Sequence, residues 1–182
     1  NTYLDFEVPA YAGAPITMRQ IMTHTAGFEE VTRDLIPLAD EAALMSLETY
    51  LKHNLPRRLY PPGSMPAYSN YATALAGYIV QRVSGEPFAD YVQHHIFDPL
   101  GMRSSTFAQP LPADMRERLS RGYSNVASGV AQPFEVVIAA PAGALTSSGP
   151  DIARFMLAHL NDGAGLLRPE TARMMQETID QQ

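Results

Sequence analysis

The clearest apolar pattern in this chain is Tyr71, Leu75, Ile79 and Val83, spaced four residues apart, with Ala72, Ala74, Ala76 and Gly77 between them. That spacing predicts a buried helix of about four turns, stopped at Ser84-Gly85. Pro87 suits the first turn of a following helix that carries Phe88, Tyr91, Val92 and His95 and ends at "DPLGM". Upstream, Thr17 and Gln20 have capping-box spacing and Gly27 is a natural stop. They predict a short helix over 18–25, with Ile21, Met22 and Thr25 on one face. "ADEAALMSLETYLKHN" offers Asp40 as a cap and Leu44, Leu47 and Leu51 as an apolar stripe. Downstream, Ser148 stands three before Asp151, with Pro150 in the first turn and Ile152, Phe155, Met156 and His159 following. "LLRPETARMMQETID" repeats that recipe with Pro169. "RSSTF" and "FEVVIAA" read as short extended segments and "ADMRERL" as a turn or two of helix. The pattern comes to about six helices and little sheet, a mainly α chain.

Composition narrows the classes. The chain has 182 residues, 46% hydrophobic and 18% charged, an ordinary globular balance for one domain or one large lobe. A formal charge of −6 with a single lysine, Lys52, disfavours nucleic acid as a partner. Cysteine is absent, so disulfides, thiolate metal sites and a cysteine nucleophile are excluded. No apolar run approaches a membrane span. The opening "NTYLDFEVPAYAGAP" reads as mid-protein sequence, and the chain is expected to be a piece of a longer protein.

The candidate chemistry sits at "AYSNY". A proline-rich loop, "LPRRLYPPGSMPA", turns there into the predicted four-turn helix. Ser69 and Asn70 are good caps. Tyr68, just before a helix N-terminus, lies where partial positive charge favours the anionic partner in a proton transfer. Asn70, two residues on, projects its amide toward the same place. Tyr123-Ser124-Asn125 repeats the triplet without a clear helix after it. His24 in "THTAGF" reads as a residue that caps carbonyls or packs. His94 and His95 are adjacent, so on a regular helix they point about 100° apart and cannot hold one ion from one face. His53 and His159 have no partner at helical spacing. No H-E-x-x-H, G-x-S-x-G, P-loop or dinucleotide fingerprint is present. The methionines read as core filler.

Three blocks in order, "ITMRQIMTHTAGF", "YPPGSMPAYSNYATALAGYIVQRVSGEPFADYVQHHIFDPLGMRSSTF" and "APAGALTSSGPDIARFMLAHLNDGAGLL", resemble the serine β-lactamase and penicillin-binding protein superfamily, most closely its class C branch with its esterase and D-aminopeptidase relatives. The resemblance implies a Tyr-x-Asn motif at Tyr68 and Asn70, with Tyr68 as general base or proton relay and Asn70 as its polar partner. It implies no metal and no organic cofactor. It also implies a Ser-x-x-Lys nucleophile and a closing Lys- or His-x-Gly strand. Neither stands here: Thr49, not serine, precedes Lys52 by three. Residues 1–182 are therefore expected to form one domain, the helical lobe of the β-lactamase/transpeptidase-like α+β fold without most of its antiparallel sheet lobe.

The expected partners are a small-molecule or peptide acyl substrate in the parent protein and the missing sheet lobe of the same chain. An exposed apolar seam would remain where that lobe packs, open to self-association. Relatives that act on cell-wall material are exported, which implies a periplasmic or membrane-associated bacterial parent, while other relatives are cytoplasmic; this lobe alone is expected to be inactive. Two other readings stand beside this one: the lobe of a degenerate, non-catalytic binding relative, and an unrelated helical interaction module.

Overall fold

The structure, a computed structural model, describes residues 1–32 and 41–176. Asp40, read as a cap, lies outside them. The contacts fall into two compact units, one of residues 1–79 and 108–144, the other of residues 80–107 and those from 145 on. The sequence reads as one domain, whereas the contacts cluster into these two units.

In the first unit, helix α1 (Met18–Met22) carries the expected capping box: the Thr17 side chain accepts from the Gln20 N–H, and the Gln20 side chain accepts from the Thr17 N–H. It stops short of residue 25 because His24 adopts a positive φ of 54°. Ile21 and Thr25 are buried as expected, whereas Met22 is exposed, outside the core face. Helix α2 (Leu47–His53) begins later than the pattern suggested. Ser46 caps it by accepting from the Thr49 N–H, and residues 41–43 form a separate 3-10 turn. Helix α3 (Asn70–Ser84) runs as predicted, with Tyr71, Leu75 and Tyr78 buried, while Val83 at its end faces solvent.

Aromatic rings fill the space beside α3. Phe28 meets Tyr71 edge to face at 5.4 Å between centroids, and Tyr50 lies 6.4 Å from Tyr71. Such contacts add about 0.5–1.5 kcal/mol beyond burial of area. The buried Tyr71 hydroxyl donates to the Leu51 carbonyl at 3.1 Å, satisfying one of the orphan acceptors at the end of α2. Burial raises the Tyr71 pKa, so this phenol stays a donor. The N-terminal segment is tied down by Asp5. Its carboxylate accepts from the Tyr78 hydroxyl at 2.8 Å and from Lys52 Nζ at 3.1 Å.

Arg58 performs a similar task for the segments on either side of α1. Its guanidinium donates to the Pro9 and Ala26 carbonyls and lies 5.2 Å over the Phe28 ring. Among the described residues, Arg58 Nε is the one buried side-chain polar atom without a hydrogen bond; the ring contact gives the charge partial compensation. "ADMRERL" supplies one short helix, α6 (Ala113–Arg116), numbered after the segments of the second unit that precede it in the chain.

In the second unit, the helix expected after Pro87 is interrupted. Helix α4 (Phe88–Val92) passes into a π-helical turn over 93–97 and then α5 (Asp98–Leu100), closed by Gly101 at φ 66°. The wider turn lets both His94 and His95 reach Glu86, at 3.2 and 2.9 Å, on separate oxygens. Those contacts, His95 foremost, lower the Glu86 pKa. Helix α7 (Gly149–Leu160) is capped by Ser148 as predicted. Asp151 is buried and accepts from the Ser104 N–H at 2.6 Å, the Ser105 hydroxyl at 2.9 Å and Arg154 at 2.8 Å. Phe155, Met156, Leu157 and Leu160 are exposed, and with Met22, Met65, Met174 and Met175 exposed as well, most of the methionines are not core filler. Helix α8 (Pro169–Met174) starts on its proline. "RSSTF" forms no strand, Thr106 making one isolated antiparallel bridge to Thr146; "FEVVIAA", which belongs to the first unit, forms none either, and its Val136 and Ile138 are simply buried.

The Asp5 contacts set a pH dependence. Hydrogen bonds from Tyr78 and Lys52 lower its pKa from the usual 3.8 to about 2. A depressed carboxylate pKa contributes stability above the unfolded value, and that contribution is lost as pH falls through the folded one. Thermal melts should therefore lose stability between 3.8 and about 2. Asp5→Asn should be less stable than wild type above this window and converge with it below.

Candidate active site

The N-terminus of α3 leaves backbone N–H groups that need acceptors, and three separate stretches supply them. Ser69 is buried and caps the helix: its Oγ accepts from the Ala72 N–H at 3.1 Å. Glu30 Oε2 accepts from the Asn70 N–H at 3.0 Å. One residue earlier, His24 Nδ1 accepts from the Ser69 N–H at 3.2 Å. The cap reading of Ser69 and the functional reading of its neighbours therefore hold together. Ser69 turns inward to cap, and that turn leaves Tyr68 outside, 64% exposed.

Tyr68 and Asn70 meet. The Tyr68 hydroxyl donates to Asn70 Oδ1 at 3.3 Å. The Asn70 amide nitrogen donates to Glu30 Oε1 at 2.6 Å. The Tyr68 ring lies 4.5 Å from the His24 ring, tilted by 33°. His24 thus packs, as its sequence context suggested, but it caps no carbonyl. Its Nδ1 accepts an amide proton, which places the ring hydrogen of the neutral imidazole on Nε2. Its positive φ and the bond from the Ala67 N–H to its own carbonyl, at 2.7 Å, hold it against the strand of loop that precedes Tyr68.

The loop after His24 is equally constrained. Gly27 has φ 80°, and a Cβ there would collide with the Tyr60 carbonyl oxygen. The Gly27 carbonyl accepts from the Leu59 N–H at 2.8 Å, and the Glu29 N–H donates to the Arg57 carbonyl at 2.8 Å. This pairing fixes the backbone that carries Glu30. Sequence reading missed Glu30 altogether. Its partner lies forty positions away, and an acidic pair after a glycine carries no local signal.

The other candidates are accounted for elsewhere. Asn125 caps a 3-10 turn over 126–128 by accepting from the Ala127 N–H at 2.9 Å, so the second Tyr-Ser-Asn makes a turn. Lys52 is held by Asp5 and Glu48, which raise its pKa, and Thr49 bonds Ser46; no nucleophile–lysine pair forms there. His94 and His95 share Glu86, and His159 packs on Phe155 at 4.8 Å. Among the described residues no group of three or more His, Cys, Asp or Glu is placed to hold a metal ion. A cavity beside α1 and Leu75 and another between α7 and the segment 91–99 are lined by described residues, and neither of these two includes Tyr68 or Asn70.

Chemically, the arrangement offers an exposed phenol oxygen whose hydrogen is engaged by an amide oxygen. Its other lone-pair direction is left to solvent or to a reactant. That is suited to passing a proton.

Comparison with known proteins places this geometry in context. A family model described as Beta-lactamase matches residues 1–181. The chain is 30% identical over 156 residues to the D-alanyl-D-alanine-carboxypeptidase/endopeptidase AmpH of Escherichia coli strain K12, covering 85% of this chain and 39% of that protein. It resembles the octameric penicillin-binding protein homologue from Pyrococcus abyssi with a TM-score of 0.75 at 20% identity, over 97% of this chain and 42% of that one; this likeness concerns the fold alone. It resembles EstCE1, a hydrolase with promiscuous acyltransferase activity, with a TM-score of 0.70 at 25% identity, over 93% of this chain and 53% of that one. The chain thus spans about two fifths of the length of the curated relative it matches.

The division of labour within the triplet is directly measurable. Ser69→Ala removes the α3 cap and should cost about 1 kcal/mol in urea unfolding. Tyr68→Phe removes an exposed hydroxyl and should stay within about 0.5 kcal/mol of wild type. A Tyr68→Phe loss equal to that of Ser69→Ala would mean that the hydroxyl serves the fold.

Proposed function

Because the chain belongs to the Beta-lactamase family, we propose that it is part of a serine hydrolase that opens an amide, lactam or ester carbonyl through an acyl-serine intermediate. On this reading Tyr68 is the general base or proton relay and Asn70 its polar partner. The nucleophilic serine with its lysine, and the closing strand motif, come from sequence outside residues 1–182. The serine oxygen attacks the carbonyl carbon and its proton leaves by way of Tyr68 to the departing amine or alcohol. Water then adds to the acyl-serine and restores the hydroxyl. The unrelated interaction module is set aside by the family match.

One observation carries the proposal: the Tyr68 hydroxyl is exposed at the start of a buried helix and bonded to the Asn70 amide oxygen. A tyrosine that served only packing would bury this ring, as Tyr71 does three residues on. The exposed apolar side chains of α7, Met156, Leu157 and Leu160 among them, support a seam that further chain would cover. The carboxypeptidase/endopeptidase among the similar proteins favours a substrate with an amide bond, a D-amino peptide or its lactam analogue, over a simple ester.

The test uses the full-length protein, a fluorescent penicillin and a fluorophosphonate. Covalent label is expected on the full-length protein and not on residues 1–182 alone. Tyr68→Phe in the full-length protein should slow labelling by about a hundredfold or more, the ordinary worth of a positioned proton-transfer group. Turnover by residues 1–182 alone, surviving Tyr68→Phe, would sink the proposal.

A further inference from the structure

An asparagine amide is nearly symmetric in shape, and by itself it presents either its oxygen or its nitrogen to a neighbour. At Asn70 the choice is made by another residue. An ionised carboxylate only accepts hydrogen bonds, and Glu30 Oε1 lies 2.6 Å from the Asn70 side-chain nitrogen. The amide nitrogen must therefore face Glu30, and Oδ1 must face the other way, toward Tyr68 at 3.3 Å. An amide oxygen also only accepts, so Tyr68 must donate. Its hydroxyl hydrogen points at Asn70 and its free lone pair points away. Glu30 is itself anchored, because its second oxygen accepts from the Asn70 backbone N–H at 3.0 Å and the backbone before it pairs with residue 57.

We infer that Glu30 is a positioning residue that fixes the Asn70 amide and, through it, the direction of the Tyr68 hydroxyl proton. The geometry stands on its own; the consequence for rate rests on the hydrolase reading above. With the proton held on Asn70, the phenol oxygen offers its lone pair to the group that must lose a proton. Tyr68 then relays: as the proton of the attacking hydroxyl reaches the phenol oxygen's lone pair, the phenol's own hydrogen leaves Asn70 for the departing amine or alcohol, and Tyr68 ends neutral. If the amide flips, its N–H occupies that lone pair and Tyr68 becomes an acceptor already in use. Glutamine at position 30 has one accepting oxygen for two donors, so it preserves part of the helix cap but no longer dictates the amide orientation. Alanine preserves neither.

The experiment separates this role from mere capping of α3. In the full-length protein, acylation by a fluorescent penicillin is followed for Glu30→Ala, Glu30→Gln, Asn70→Ala and the double variant Glu30→Ala/Asn70→Ala, each with a thermal melt. Glu30→Ala and Glu30→Gln should slow the acylation step about tenfold to a hundredfold with half-saturation little changed. The double variant should acylate no more slowly than Asn70→Ala, because Glu30 acts on rate through that amide. The loss of melting temperature from Glu30→Ala should persist in both backgrounds, since the backbone N–H bond remains in Asn70→Ala. Rate losses that add in the double variant, or that follow melting temperature across the series, overturn the inference, as does wild-type acylation by Glu30→Gln.

If wild-type full-length protein is never acylated, the hydrolase reading fails instead. The inference is then decided by exchange of the Asn70 side-chain amide protons with solvent, read by NMR. Exchange at least about tenfold faster in Glu30→Gln than in wild type upholds it, and equal exchange overturns it.

Discussion

A buried helix must find acceptors for its first N–H groups, and the start of α3 depends on that requirement. Its apolar face fixes where the helix lies, and the chain itself supplies the acceptors at its solvent-facing N-terminus. The acceptors come from Ser69, from Glu30 and, just upstream, from His24. Drawing residues 24, 30 and 69 to one point determines the path of the loop between 24 and 30 and of the proline-rich segment before 68. Gly27 and the pairing of residues 27 and 29 with 59 and 57 follow from that path. A carboxylate beside the helix N-terminus is also favoured by the helix dipole, by about 0.3–1 kcal/mol.

The site is a consequence of this capping arrangement. Three consecutive residues leave the loop in three directions. Ser69 goes into the interior, Tyr68 goes to solvent, and Asn70 lies between, joined to Glu30. Tyr71, one step further, goes into the core and meets Phe28 and Tyr50. Two tyrosines close in sequence thus have opposite fates. Tyr71 is surrounded by rings and a carbonyl, and its proton is locked by burial. Tyr68 touches one ring and one amide and keeps a side open. The difference arises from helical phase: residue 71 falls on the same stripe as Leu75 and near that of Tyr78, while residue 68 precedes the helix and belongs to no stripe.

How much of this was legible depended on whether the responsible contact was local. The Thr17–Gln20 box, the Ser148 cap and the start of α8 at Pro169 lie within one turn of sequence, and the pattern alone found them. Tyr68 and Asn70 stood out for the same reason, being two residues apart at a loop-to-helix junction. Glu30 did not, because nothing near it in sequence requires a carboxylate. The early stop of α1 at His24 depends on bonds to residues 67 and 69, which no window around 24 contains. The π-helical turn at 93–97, which brings both histidines to Glu86, is likewise invisible to a periodicity argument. Apolar side chains misled in both directions: Tyr50 and Tyr78, off the predicted stripes, are buried. Met22, Val83 and Met156 were read as core and are exposed, since hydrophobicity states a preference and the extent of the chain's own packing decides whether it is met.

Asn70 shows why the local and non-local parts cannot be separated. As the first residue of α3 it contributes a backbone N–H that the fold must satisfy, and its side chain contributes the amide that Tyr68 uses. One carboxylate serves both. A residue at position 30 chosen for stability alone needs a single acceptor, which serine, aspartate or glutamine also provides. Two acceptors at the span of a glutamate are needed only if the amide must be held as well as the helix capped. The second bond, 2.6 Å long and on a residue exposed to water, adds little to stability because water competes for both groups. Its effect is directional: it leaves the amide oxygen as the only acceptor that Asn70 can turn toward the phenol. The contact that contributes least to holding the helix in place therefore does most to orient the side chain beside it.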